Sequence, residues 1–178
     1  MSTEILSVPF EALAEGAIFE TRGRTITEAD VVAFSAQTGD WHPQHADAEW
    51  AARSAFGERV AHGMLVLSYA VGLVPFDPAR VLALRRVSDA VFKRPVRLGD
   101  TIRVRGEVAA LRPVSDEAGL ATLAWTVVNQ DGQTVVRARV EVLWARQGAP
   151  PTPESDESAR SESGEPVRSE SGEPARSL

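Results

Sequence analysis

The chain has no cysteine, a single tyrosine, and aromatic residues at only 6% of its positions. Without thiols there is no disulfide, no cysteine nucleophile and no cysteine-ligated zinc. Acids outnumber bases, 25 to 19, so a net charge of −6 gives no support to nucleic-acid binding. The longest apolar run, Val60 to Phe76, is interrupted by His62, Gly63, Ser68, Tyr69 and Pro75. A membrane span wants about 20 sustained apolar residues, so none is expected. The opening residues, MSTEILSVPFEALAEG, lack the basic stretch and apolar centre of a secretory signal. What remains is an ordinary cytosolic, soluble composition, 43% hydrophobic and 25% charged, with length enough for one domain and a real core.

Histidine is scarce too, and its placement is informative. All three, His42, His45 and His62, fall between Thr38 and Leu67, together with Asp40 and Asp47. Groups that titrate near neutrality beside carboxylates are the raw material of proton transfer.

Around this stretch the pattern is readable. Residues Leu6 to Arg24 supply a lead-in and a first strand at Ala17-Ile18-Phe19. Thr27-Glu28-Ala29-Asp30 is a capping-box start, with Val31, Phe34 and Thr38 on one helical face and Gly39 as the stop. Pro43 disfavours helix at His42, which predicts an irregular segment from Asp40 to His45. Asp47 caps a short helix through Trp50 to about Arg53. Val60 to Val74 is apolar almost all round, which predicts a central helix wrapped by protein. Strand periodicity then takes over: a weakly alternating run from Val81 to Val96, then one in which Ile102, Val104, Gly106, Val108 and Ala110 share a face. Runs from Leu120 to Asn129 and Thr134 to Ala145 are joined by a hairpin signal, Asn129-Gln130-Asp131-Gly132-Gln133. The class is α+β, one antiparallel sheet curled round one helix. Residues 147–178 differ in kind: no aromatics, five of the 11 prolines, seven acids against three bases, and a repeat, Arg160-SESGEPV then Arg168-SESGEPA. That composition reads as a disordered acidic tail, leaving residues 1–146 as the folded domain.

Gly39-Asp40-Trp41-His42-Pro43-Gln44-His45-Ala46-Asp47, followed by Phe56-Gly57-Glu58-Arg59-Val60-Ala61-His62-Gly63-Met64-Leu65, closely resembles the MaoC-like, (R)-specific enoyl-CoA hydratases. Their signature is a G-D-x-N-P-x-H-x-D run and then an F-G…H-G-M run, and the likeness extends over roughly residues 15–146. The resemblance implies a hot-dog fold and a homodimer. It also implies interconversion of a trans-2-enoyl thioester, of CoA or acyl carrier protein, with the (R)-3-hydroxyacyl thioester. It places the catalytic aspartate on Asp40, the catalytic histidine on His45 and the oxyanion-hole glycine on Gly63. The chemistry agrees: hydration needs a base for the attacking water, an acid for Cα, and backbone N–H donors for the enolate oxygen. An amide at the start of a helix has no acceptor within it. His62 either orients the loop or contacts substrate, and Asp47 is a helix cap. Two departures stand out: His42 replaces the motif's Asn, and Val71 occupies a position where some relatives carry serine, with Ser68 one turn earlier as a partial substitute.

No cofactor is called for. A metal site from His42, His45, Asp47 and His62 is disfavoured because Pro43 breaks the helix that His-x-x-His chelation needs. Thioester hydrolysis and a non-catalytic subunit of a heteromeric dehydratase are the rival functions. Against the first, Val60 to Val74 holds no carboxylate. Finally, eight cations (Arg80, Arg85, Arg86, Lys93, Arg94, Arg97, Arg103 and Arg105) face only Asp89 and Asp100 in the same segment. They form either a solvated strand face or a receptor for CoA phosphates or an acidic carrier protein.

Overall fold

A computed structural model of the chain describes residues 3–148; the acidic repeat lies outside them. Two 3-10 turns, Glu4–Leu6 and Phe10–Ala12, lead into β1 (Ile18–Glu20) and β2 (Arg24–Thr25). Four helices follow: α1 (Glu28–Thr38), α2 (Pro43–Ala46), α3 (Ala48–Ala52) and α4 (Gly63–Leu73). Four long strands complete the fold: β3 (Val81–Phe92), β4 (Thr101–Pro113), β5 (Ala118–Val128) and β6 (Thr134–Ala145). All pairings are antiparallel, in the order β1-β4-β5-β6-β3, with β2 also on β4.

The sheet curls round α4, as the hot-dog arrangement requires. Leu65, Val66, Leu67, Ala70 and Leu73 of α4 are buried against inward residues such as Val104, Val108, Leu123, Trp125 and Val140. Each such side chain withdrawn from water is worth about 1.5–3 kcal/mol. Trp144, fully buried, spends its indole N–H on the Val8 carbonyl at 2.8 Å, which fastens the lead-in to the end of β6.

Several boundaries differ from expectation for identifiable reasons. The central helix begins at Gly63, not Val60, because Val60 bridges Arg97 and the Ala61 amide donates to the Val96 carbonyl. Nor is α4 covered on every side: Met64, Ser68 and Gly72, spaced by four, form an exposed stripe. Residues 43–46 are helical, not irregular, since Pro43 occupies the first helical position, where its missing N–H costs nothing. The run from Val81 stops at Phe92, four residues early. Its weak alternation is explained by three register shifts against β6 and by Asp89 at φ 52°. A register shift between Val108 and Ala110 likewise turns Ala110 outward, away from the face it was expected to share. The capping box is present as read: the Asp30 amide donates to Thr27 Oγ1, the Thr27 amide to Asp30 Oδ2. Among the described residues no helix is long and apolar enough to cross a membrane.

Candidate active site

Gly39, in the left-handed region at φ 77°, ends α1 and turns the chain into the histidine-rich segment. Asp40 follows at once, its side chain half exposed. Its Oδ1 accepts from the His42 amide at 3.2 Å. His42 then caps α2: its Nδ1 accepts from the Gln44 amide at 3.2 Å, and its ring meets Trp50 edge-on at 5.4 Å. Asp47 Oδ1 accepts from the Trp50 amide at 2.9 Å and so caps α3. These two caps fix the short turn that carries His45.

His45 is 4% exposed. Its Nδ1 lies 2.6 Å from the Val60 carbonyl. A carbonyl only accepts, so Nδ1 carries the hydrogen and the neutral ring keeps its lone pair on Nε2. The Gln44 side-chain amide donates to that nitrogen at 2.9 Å. Burial pushes the His45 pKa below the usual histidine range, against the raising effect of the Val60 bond. The ring is therefore a free base at neutral pH. The Val60 carbonyl is held in place because its own amide donates to the Gln44 carbonyl at 3.1 Å.

His62 backs this arrangement. It is 3% exposed, and its ring stacks on His45 with centroids 3.7 Å apart. Its Nε2 is 3.0 Å from the Asp40 carbonyl and 3.2 Å from Ser35 Oγ. The backbone oxygen again requires a donor, so Nε2 carries hydrogen, shared between the two oxygens. His62 Nδ1 is buried without a partner among the described residues. The contact with the Asp40 carbonyl ties His62 to the Asp40 loop. One carboxylate oxygen of Asp40 and one ring nitrogen each of His45 and His62 lie within 4.8 Å of one another. Two hydrogen bonds of about 2.8 Å through one water span such a gap.

Beside His45 opens a cavity of about 400 Å³, walled by Phe56, Val66, Val96 and Val136 and including Gly63. Gly63 is the first residue of α4, and its N–H has no acceptor within the helix. A side chain here would collide with the Phe92 ring, whose nearest carbon would sit 2.8 Å from a Cβ. A side chain at this position thus requires the Phe92 ring to move.

The structure brings together Asp40, His45 and His62; His45 and Gly63 line the cavity, whereas Asp40 and His62 lie behind His45 and do not. His42 and Ser68 stand apart: neither lines the cavity, and Ser68, exposed, donates to the Met64 carbonyl one turn back at 2.8 Å. Sequence reading missed Ser35, Gln44 and Phe92. Gln44 lies inside the motif and was open to notice; Ser35 looks like any polar residue of an amphipathic helix. Phe92 is 29 positions from Gly63 and carries no local signal.

Known proteins resemble this chain in sequence and in fold. The family model for the MaoC like domain matches residues 10–142. The chain is 36% identical to a 3-hydroxybutyryl-CoA dehydratase of Methylorubrum extorquens over 124 residues, covering 68% of this chain and 76% of that one. It is 43% identical over 97 residues to Protein MaoC of Klebsiella aerogenes, covering 54% of this chain but only 29% of that longer protein. Among solved structures, the (R)-hydratase from Aeromonas caviae superimposes with a TM-score of 0.63 at 32% identity, covering 74% of this chain and 97% of that one. On motif, fold and the extent of these matches, the chain belongs to the MaoC-like domain family.

Proposed function

We propose that this protein is a hydro-lyase that adds water across a trans-2-enoyl thioester to give the (R)-3-hydroxyacyl thioester, and runs the reverse dehydration. The observation that carries the reading is the buried His45, with a ring nitrogen within 4.8 Å of an Asp40 carboxylate oxygen, its Nδ1 held by the Val60 carbonyl and its Nε2 lone pair directed at the Gln44 side-chain amide, which substrate water must displace or share. Water held between Asp40 and His45 loses one proton to His45 Nε2 as its oxygen bonds to Cβ. The electron pair moves to the thioester oxygen, where the Gly63 N–H at the positive end of α4 stabilises the enolate. His45 then returns its proton to Cα. Both new bonds form on the face that the dyad presents, so addition is syn. The dehydratase and hydratase names of the relatives support the same chemistry.

The reading includes a homodimer. β3 is the long edge strand of the sheet, opposite the short β1, and Leu82, Leu84, Val87, Val91 and Phe92 along it are exposed, as is Met64 on the bare stripe of α4. An apolar strand edge of this kind calls for a second copy. It runs past Phe92 and so past the cavity.

Hydration of crotonyl-CoA, followed as loss of enoyl absorbance with chiral analysis of the product, tests the assignment. (R)-3-hydroxybutyryl-CoA is expected. Release of free thiol instead would assign thioester hydrolysis, and no turnover would favour the non-catalytic reading.

A further inference from the structure

The eight cations between Arg80 and Arg105 are sorted by the fold. Arg97 pairs with Glu58 at 2.9 Å, and Arg103 and Arg105 share Glu20 at 3.4 and 3.0 Å. Arg86 faces Glu141 at 4.0 Å, and Arg80 donates to the Ser7 carbonyl at 3.3 Å. Arg85 borders a separate hollow, with Arg86, Arg112 and Glu141. Lys93 and Arg94 are different. Both line the cavity that holds His45 and Gly63, and no carboxylate lines it with them.

The Lys93 ammonium has no partner among the described residues. Arg94 spends one N–H on the Thr134 carbonyl at 3.0 Å, which leaves most of its five donors open. The amides of both residues point at the Val135 carbonyl, at 2.8 and 3.4 Å. The two charges therefore sit on a segment fixed to β6, adjacent to each other, with no counter-ion among the described residues. Exposed and solvated, they keep their donors open to an anion that enters the cavity mouth.

We propose that Lys93 and Arg94 form the subsite for the phosphate that ends the pantetheine arm of the thioester. This rests on the hydratase reading, and it says which part of the substrate the cavity grips. The enoyl group, thioester and pantetheine amides are uncharged, so the phosphate is the first charge along the arm from the reacting carbon. CoA and a carrier protein both present it.

The test compares four crotonyl thioesters: pantetheine, 4′-phosphopantetheine, CoA and an acyl carrier protein. Adding the single phosphate is expected to raise kcat/KM about 10–100-fold, mostly through KM, since binding to a remote group serves ground and transition states alike. Lys93→Ala removes about tenfold on every phosphorylated substrate and leaves crotonyl-pantetheine within twofold; Arg94→Gln acts in the same direction. Both residues are exposed, so folding is preserved. A further gain with CoA assigns the nucleotide as the natural handle, and a further gain with the carrier protein assigns that source. Equal kcat/KM on pantetheine and phosphopantetheine would overturn the subsite while leaving the hydratase reading intact, as would a Lys93→Ala loss equal on all four. Should the wild type turn over none of them, the hydratase reading fails. Calorimetric binding of 4′-phosphopantetheine to wild type and Lys93→Ala then decides the subsite by itself.

Discussion

Two aspartates flank α1, one at each end, and they are treated in opposite ways. Asp30, in the first turn, accepts from Tyr69 Oη at 2.6 Å, Arg24 at 2.9 Å, and both the amide and hydroxyl of Thr27 at 2.7 Å. Burial alone would raise its pKa, but these donors outweigh it and hold the carboxyl well below the usual aspartate range. Arg24 in turn lies over the Tyr69 ring, 3.7 Å from its centroid. The cluster ties β2, α1 and α4 together and is saturated. Asp40, just past the other end of α1, accepts a single backbone N–H, and among the described residues no Lys or Arg pairs with it; His62 Nε2 lies 4.0 Å away. Saturation locks a carboxylate into structure, whereas one with open acceptor sites beside a free imidazole is equipped to hold water and move protons. Conflict with local satisfaction is what a functional site looks like in a consistent fold.

Breaking the unsaturated region should have the larger effect on turnover. His45→Gln is expected to lower kcat by about 10²–10⁴-fold. In stability it costs only about 1–2 kcal/mol, for the lost bond to Val60; steady-state kinetics and thermal melts report the two separately. Gly63→Ala should follow, with about a 10²-fold loss in kcat as the Phe92 ring is pushed against the helix start. Gly63→Ala with Phe92→Leu should recover part of it, because the collision is removed.

Acid separates the two regions by window. Folded His45 binds a proton less readily than unfolded His45, so stability falls as pH drops through the ordinary histidine value of about 6.5 and below. The acid limb of kcat/KM should lie in the same range, under that value. Asp30 contributes stability above the ordinary aspartate value of about 3.9 and loses it only as pH falls further. Melts against pH should show both steps, the upper one missing in His45→Gln. The smallest effect expected is from Tyr69→Phe, about 1 kcal/mol of stability with kcat unchanged.

Much of this was legible in the residues. The Thr27 and Asp47 caps, the Gly39 stop and the Asn129–Gln133 hairpin all follow from local chemistry. The motif supplied Asp40, His45 and Gly63. Positions that depended on long-range pairing were not legible. Nothing local says that Val60 and Ala61 are claimed by Arg97 and Val96, which delays α4 to Gly63. The bulges that turn Ala110 outward and break β3 are likewise set by the partner strands. Even Pro43, read as a breaker, proved to be a helix start, because the same residue does either according to its position. Which of the eight cations are paired is likewise decided by acids remote in sequence, Glu20, Glu58 and Glu141.

The central claim is that Asp40 does chemistry and Asp30 does not. Asp30→Asn and Asp40→Asn should be measured together for crotonyl-CoA hydration and for unfolding free energy. The account predicts a crossover: Asp40→Asn loses at least about 10²-fold in kcat with stability nearly intact. Asp30→Asn loses about 2 kcal/mol of stability, with kcat within a few-fold of wild type. Asp40→Asn retaining wild-type turnover on a substrate that the wild type hydrates would contradict it.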